Sequence, residues 1–161
     1  MATITPATEK DIPALDKLVN SAYRGEGSKK GWTTEADLLD GLRTDPGSLL
    51  KIFQDPDAVI LKYAGETSIE GCVYLKKKKD ALYLGMLTVS PQLQAKGIGK
   101  QLMLQCFQSA KEMQYKKLYL ESMPQFSKAV SMYEKYGFTP LDAPLGNSGH
   151  TTCNIWMIKE L

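Results

Sequence analysis

Residues 90–102 read SPQLQAKGIGKQL. An apolar run ends at Val89 just ahead of them. Behind them Ile98, Leu102, Met103, Cys106, Phe107, Ala110 and Met113 recur at helical spacing. Gly97 and Gly99 therefore fall where the chain turns from strand to helix, with Lys96 and Lys100 beside them. A glycine turn at that point lets backbone amides approach a phosphate. The phosphate can belong to a dinucleotide, a nucleoside triphosphate or another cofactor.

The flanking sequence narrows the choice. Residues 3–5 suit a short first strand. Thr8-Glu9-Lys10-Asp11 has the form of a capping box before a helix carrying Ile12, Leu15, Leu18, Val19 and Ala22, with Pro13 tolerated in its first turn. A second such start at Thr34-Glu35-Ala36-Asp37 predicts a short helix with Leu38, Leu39 and Leu42, and Asp45-Pro46-Gly47 reads as its stop. Residues 58–63, 69–75 and 81–89 form an antiparallel meander. Lys76 to Lys79 read as solvated charges at a hairpin tip. After the glycine turn come a helix, a strand at 117–121, a helix marked by Phe126, Ala129, Val130, Tyr133 and Tyr136, and a capping Gly137. Residues 151–158 suit a late strand. The reading is a single α/β domain over residues 1–161, in which a meander feeds one strand–helix–strand crossover whose two strands lie parallel.

Bulk properties agree. The chain has 161 residues, enough for its own core, and is 43% hydrophobic with 24% charged residues. A net charge of +2 argues against nucleic acid or a membrane surface as the main partner. There is no signal-like start and no apolar run long enough for a membrane span. Cys72, Cys106 and Cys153, with the single histidine His150, lack the spacing of a metal site. Free thiols in a reducing cytoplasm, and no metal, are expected.

The two nucleotide readings fail on particular residues. In the dinucleotide fingerprint a third glycine allows close helix packing, but Leu102 stands there. Glu121 sits near the place of the ribose-binding acid, yet a single crossover leaves no room for a Rossmann-like crevice. In a Walker A loop Gly99-Lys100 would be followed by Ser or Thr, and Gln101 offers no hydroxyl for magnesium. Gln94 occupies the place of that loop's first glycine.

What remains is Gln94-Ala95-Lys96-Gly97-Ile98-Gly99, preceded by Leu87-Thr88-Val89-Ser90-Pro91 and followed downstream by Met132-Tyr133-Glu134-Lys135-Tyr136-Gly137-Phe138. The two motifs, at this separation, resemble the acetyl-coenzyme A site of the GNAT superfamily of N-acyltransferases. The resemblance covers nearly the whole chain. It implies a mixed, mainly antiparallel sheet whose central parallel pair splays at the cofactor site, flanked by helices. It also implies that amides from Ala95 to Lys100 hold the 3′-phosphate and pyrophosphate of coenzyme A, and that Leu87, Thr88 and Val89 line the pantetheine arm. Many members carry an asparagine where this chain has Phe126, so Gln125 or Ser127 is the candidate replacement.

Transfer of acetyl to an amine needs a neutral nucleophile and a proton for the departing thiolate. Deprotonating a lysine-like amine at pH 7 costs about 4.6 kcal/mol, and an α-amine about 1.4 kcal/mol, so a base matters most for strongly basic acceptors. By resemblance Tyr133 protonates the thiolate, and Glu121, at a strand end, resembles the base of ribosomal-protein N-terminal acetyltransferases. Tyr23, Arg24 and Trp32, in the segment between the first two helices, and His150, before the last strand, are the candidate acceptor-binding residues. The expected acceptor is a primary amine on a small molecule or a protein N-terminus, taken in a ternary complex without an acyl-cysteine. A non-catalytic acyl-coenzyme A sensor on the same fold is the alternative, and an edge-strand homodimer fits either.

Overall fold

The computed structural model describes residues 3–23, 44–94, 96–122, 127–141 and 155–161, with the side chains of residues 23, 121, 122, 127–129, 141 and 155 left aside. Strand β1 (Thr3–Pro6) leads through a short turn to helix α1 (Ile12–Tyr23). The expected cap is present: the Thr8 amide donates to the Asp11 carboxylate at 2.9 Å. Asp11 also takes the Lys62 ammonium at 3.0 Å, which ties the helix start to the sheet. Leu15, Leu18, Val19 and Ala22 form the predicted buried stripe.

Asn20 of α1 makes a two-way bond across the chain. Its side-chain carbonyl accepts from the Thr44 amide, and its side-chain amide donates to the Thr44 carbonyl, each at 3.0 Å. The helix expected at residues 34–42 lies outside the described residues.

Asp45-Pro46-Gly47, read from sequence as a stop, starts a helix, and the element it was expected to end lies outside the described residues. In α2 (Pro46–Gln54) the Asp45 carboxylate caps the first turn by accepting from the Ser48 amide at 2.8 Å, and Pro46 takes a first-turn position. A proline there forfeits no helical hydrogen bond and an aspartate before it is a strong N-cap, so residue types that break a helix also suit the start of one. Leu49, fully buried, anchors α2 to the core.

The meander follows as β2 (Ala58–Ala64), β3 (Ile69–Lys77) and β4 (Leu82–Val89), all antiparallel. Lys77, Lys78 and Lys79 are exposed at the hairpin tip, but Lys76 is held by Asp55 at 2.8 Å. Helix α3 (Ile98–Glu112) crosses to β5 (Lys117–Ser122), which lies parallel to β4. Helix α4 (Ser127–Lys135) ends at Gly137, whose φ of +94° accommodates the expected cap, with the Phe138 amide donating back to the Tyr133 carbonyl at 3.1 Å. A short strand β6 (Thr139–Leu141), not anticipated from sequence, pairs with the last strand β7 (Ile155–Glu160).

Among the described residues the strands form one sheet in the order β1-β2-β3-β4-β5-β7-β6, with β4·β5 its only parallel pair. Strand alternation sorts the side chains. Leu82, Leu84, Leu118, Leu120 and Met157 join the main core with α1 and α3. Between them, Tyr83, Tyr119 and Trp156 belong to a separate apolar cluster with Ala81 and Ile158. The mixed sheet with a central parallel pair and flanking helices is the architecture expected.

Candidate active site

The parallel pair is in register only at Leu82↔Leu118 and Tyr83↔Tyr119. Beyond those residues β4 runs on to Val89 and β5 to Ser122 without pairing to each other, while β5 stays bonded to β7. A sheet cannot leave two neighbouring strands unpaired unless they part. The parting opens a cleft walled by the two strand edges.

Strand β4 also bends. Cys72 pairs with Thr88, but Tyr74 pairs with Gly85, so Met86 and Leu87 together face Val73. Met86 sits at φ +52°, a left-handed conformation that costs a non-glycine residue about 1–2 kcal/mol. Its carbonyl accepts from the Thr88 hydroxyl at 2.8 Å. Thr88 is thereby buried, with its side chain committed inside the protein. Leu87 is buried and Val89 half-buried, so what these residues offer the cleft is backbone.

At the end of β4 the Gln94 side chain reaches back and donates to the Val89 carbonyl at 3.2 Å, pinning the turn to the strand. Gly97 adopts φ +88°, and a Cβ placed on it would meet nothing within 4 Å. The glycine is required by the backbone angle, and the space beside it is open. Lys96, Gly97 and Lys100 are exposed and Gly99 is half-buried, its nearest neighbour being Val89 Cγ2 at 3.7 Å from a built Cβ. The first helical bond of α3 runs from the Gln101 amide to the Gly97 carbonyl at 3.0 Å. The amides of Ile98, Gly99 and Lys100 therefore precede the hydrogen-bonded helix and stand at its positive end. Amides at a helix start with open space beside Gly97 are of the kind that receive a phosphate. The Ile98 side chain turns inward and is buried, so that residue contributes its amide alone.

Tyr133 lies on α4 in the main core, nearly buried, with its ring set edge-on to Phe138 at 6.0 Å. Glu121 stands near the end of β5, in register with Trp156 of β7. The Cys106 thiol is buried on α3, and burial pushes its pKa up to about 12. It is therefore inert as a nucleophile. The side chains of Tyr23, Glu121 and Ser127, and all of Arg24, Trp32, Ala95, Gln125, Phe126, His150 and Cys153, lie outside the described residues. Among the described residues no group of three or more His, Cys, Asp or Glu could hold a metal.

Three residues of the cleft escaped the sequence reading: Tyr83, Gly85 and Met86. Gly85 was the available signal, since a glycine within an apolar strand marks a bulge or a close approach. Here it marks both. A Cβ on Gly85 would lie 2.8 Å from Tyr83 Cε1 and 3.0 Å from the Tyr83 hydroxyl. The Tyr83 ring is laid over its neighbour along the strand, toward the bend.

Known proteins share this fold. Over all but a sliver of both chains, the fold matches a PaiA N-acetyltransferase from Thermoplasma acidophilum solved in complex with coenzyme A, with TM-score 0.75, 20% identity and coverage of 100% and 99%. It also matches the ribosomal-protein-S18-alanine N-acetyltransferase of Escherichia coli, with TM-score 0.75, 15% identity and coverage of 99% and 94%. In sequence the chain is 29% identical over 160 residues to the uncharacterized N-acetyltransferase YjgM of Escherichia coli K12, covering 96% of this chain and 92% of that one. The family model for the acetyltransferase (GNAT) domain matches residues 43–159. With the parted strands, the glycine turn and that match in agreement, the chain belongs to the GNAT acetyltransferase family.

Proposed function

We propose that the protein is an acetyl-coenzyme A-dependent N-acetyltransferase that moves acetyl directly to a primary amine, on a small molecule or a protein N-terminus, within a ternary complex. The observation that carries this reading is the parting of β4 and β5 after Tyr83 and Tyr119, next to an open helix-start turn. One edge supplies backbone bonds for an extended arm, and the turn supplies amides for phosphates at its far end. A structure solved with coenzyme A shares the fold, and the family fits the same donor.

In this reading the amine nitrogen attacks the thioester carbonyl carbon, the carbon–sulfur bond breaks, and sulfur leaves with the electron pair. Tyr133 donates its phenol proton to that sulfur, giving the free thiol. Glu121, directly or through water, takes the proton lost by the amine. The inert Cys106 favours direct transfer over an acyl-cysteine through that residue.

The test is a thermal-shift titration with acetyl-coenzyme A, followed by free-thiol release across a panel of amines. Ligand at about 100 times Kd should add about 2.7 kcal/mol of stability. Amine-dependent thiol release that falls at least tenfold in Tyr133→Phe supports the enzyme. A shift without turnover for any amine points to the sensor, and no shift with any acyl-coenzyme A overturns both.

A further inference from the structure

The end of α4 is held by a chain of rings that finishes on a cation. The Tyr133 ring meets Phe138 at 6.0 Å, and Phe138 meets Phe107 of α3 at 6.3 Å. Tyr136 also meets Phe107, edge-on at 6.0 Å. Among the described residues, every ring contact between α3 and the end of α4 therefore passes through Phe107. Phe138 is buried and Phe107 half-buried, so the inner ring is enclosed and the outer one is not.

Lys159 closes the outer end. It pairs with Leu118 of β5, and paired residues share a face, so its side chain leaves the sheet on the side of the main core. Its ammonium lies 5.1 Å from the centre of the Phe107 ring, within reach of a cation–π attraction. It also rests against the helix cap, since a Cβ on Gly137 would lie 2.6 Å from Lys159 Nζ. A positive charge thus stands beside the carboxyl end of α4, where the helix dipole favours one. Among the described residues Lys159 makes no ion pair, which leaves the ring and the helix end as its partners.

The brace runs from β7 to Phe107, then to Phe138, and ends on Tyr133. Phe138 grips Tyr133 twice, by its ring and by its amide, which donates to the Tyr133 carbonyl at 3.1 Å. Because α3 starts at the Gly97 turn, the brace fixes Tyr133 to the helix that begins there. We infer that Phe138 is the positioning residue of Tyr133, and that Lys159, through Phe107, holds Phe138 in place. This rests on the acid role given to Tyr133 above for its effect on turnover; the brace itself is a claim about where the phenol is held. An acid delivers its proton only within hydrogen-bond reach of the leaving sulfur, so a small shift of α4 lowers kcat and spares donor binding.

The test measures kcat by free-thiol release with the best amine of the panel, and coenzyme A affinity by titration calorimetry. Lys159→Met keeps the stem and removes the charge, so kcat should fall about threefold with coenzyme A Kd unchanged. Lys159→Arg should restore kcat, because a guanidinium also seats on a ring face. Phe138→Leu should cost about tenfold in kcat, and Lys159→Met carries the test if that variant does not fold. In a Tyr133→Phe background neither substitution should lower kcat further, since the positioned group is gone. The same fractional loss in both backgrounds, or no recovery with arginine, overturns the inference. Tyr133 is also followed without turnover, by the NMR signal of tyrosine isotope-labelled at Cζ and assigned by its loss in Tyr133→Phe. That signal should move in Lys159→Met and return in Lys159→Arg. A moved signal without product from any amine sustains the brace and sinks the transferase reading. A signal that stays put in Lys159→Met overturns the brace, whatever the turnover.

Discussion

Gly71→Ala probes the joint between the sheet and the cofactor turn. Gly71 lies in β3 opposite Val89, and a Cβ there would sit 3.0 Å from Leu102 Cδ1, 3.0 Å from the Thr88 carbonyl oxygen and 3.1 Å from Ile98 Cγ2. All three distances are tighter than ordinary contact. Thr88 is fixed by its pairing with Cys72, and Ile98 and Leu102 are buried in the first two turns of α3. The cheapest relief lifts the start of α3 off the sheet, and the turn at Gly97 moves with it. Overpacking of this kind costs about 1–3 kcal/mol. For a domain of this length that is about 2–12 °C in Tm, read by differential scanning calorimetry without ligand. The displaced amides should weaken coenzyme A by about tenfold, the worth of one compromised charge-assisted bond, read by titration calorimetry. Leu102→Ala alone should cost about 2–5 kcal/mol. Added to Gly71→Ala it should cost measurably less, because the new methyl fills part of the space. An unchanged Tm together with unchanged coenzyme A affinity would refute the coupling of this glycine to the turn, as would strict additivity of the two substitutions.

Three further outcomes follow from described contacts. Asn20→Ala strips both partners from the buried Thr44 backbone and should cost about 1–3 kcal/mol by thermal unfolding, with Asn20→Asp intermediate because it keeps the acceptor. Asp45 is held below its ordinary value by the Ser48 amide and hydroxyl, and Asp55 by the Lys76 ammonium; for Asp11, burial pushes upward but the Thr8 amide and Lys62 outweigh it. Their folded pKa values lie below the unfolded 3.8, so their contribution is complete above that pH and lost as pH falls through the folded values. Tm should hold above about pH 5 and drop below about pH 4, with a shallower drop when all three are asparagine. Finally, Cys106 should resist iodoacetamide at pH 8 in the native protein and react only on unfolding, as peptide mapping by mass spectrometry would show; native labelling at a free-thiol rate would contradict its burial.

The parts of the fold that sequence made legible are those governed by local periodicity. The stripes of α1 and α3, the meander, and Gly137 as a cap follow from spacing and backbone preference, and the structure has them. Asp45-Pro46 was ambiguous because the residues that favour a helix start also break the element before them. The strand β6 has three residues, too few for a period to register. The bend at Met86 was hidden because LYLGMLTV reads as one unbroken apolar strand, and only the register against β3 reveals the extra residue. The packing of the Tyr83 ring is a tertiary fact: Tyr74 and Tyr119 reach it from other strands, and it lies where Gly85 has no side chain. The turn at Gly97 could be read because its geometry lies in the backbone of contiguous residues. An acceptor site assembled from distant segments has no such signature.

The two-way bond between Asn20 and Thr44 has a consequence for how such a protein diversifies. It fastens together the two points where the chain leaves α1 and rejoins the core, so the ends of the intervening stretch are fixed whatever that stretch contains. Residues 24–43, with Arg24 and Trp32 among them, can then vary in length and composition at little entropic cost to the rest. With its two ends held by the clamp, that stretch is open to exchange: a graft between residues 24 and 43 should leave the turn at Gly97 as it is.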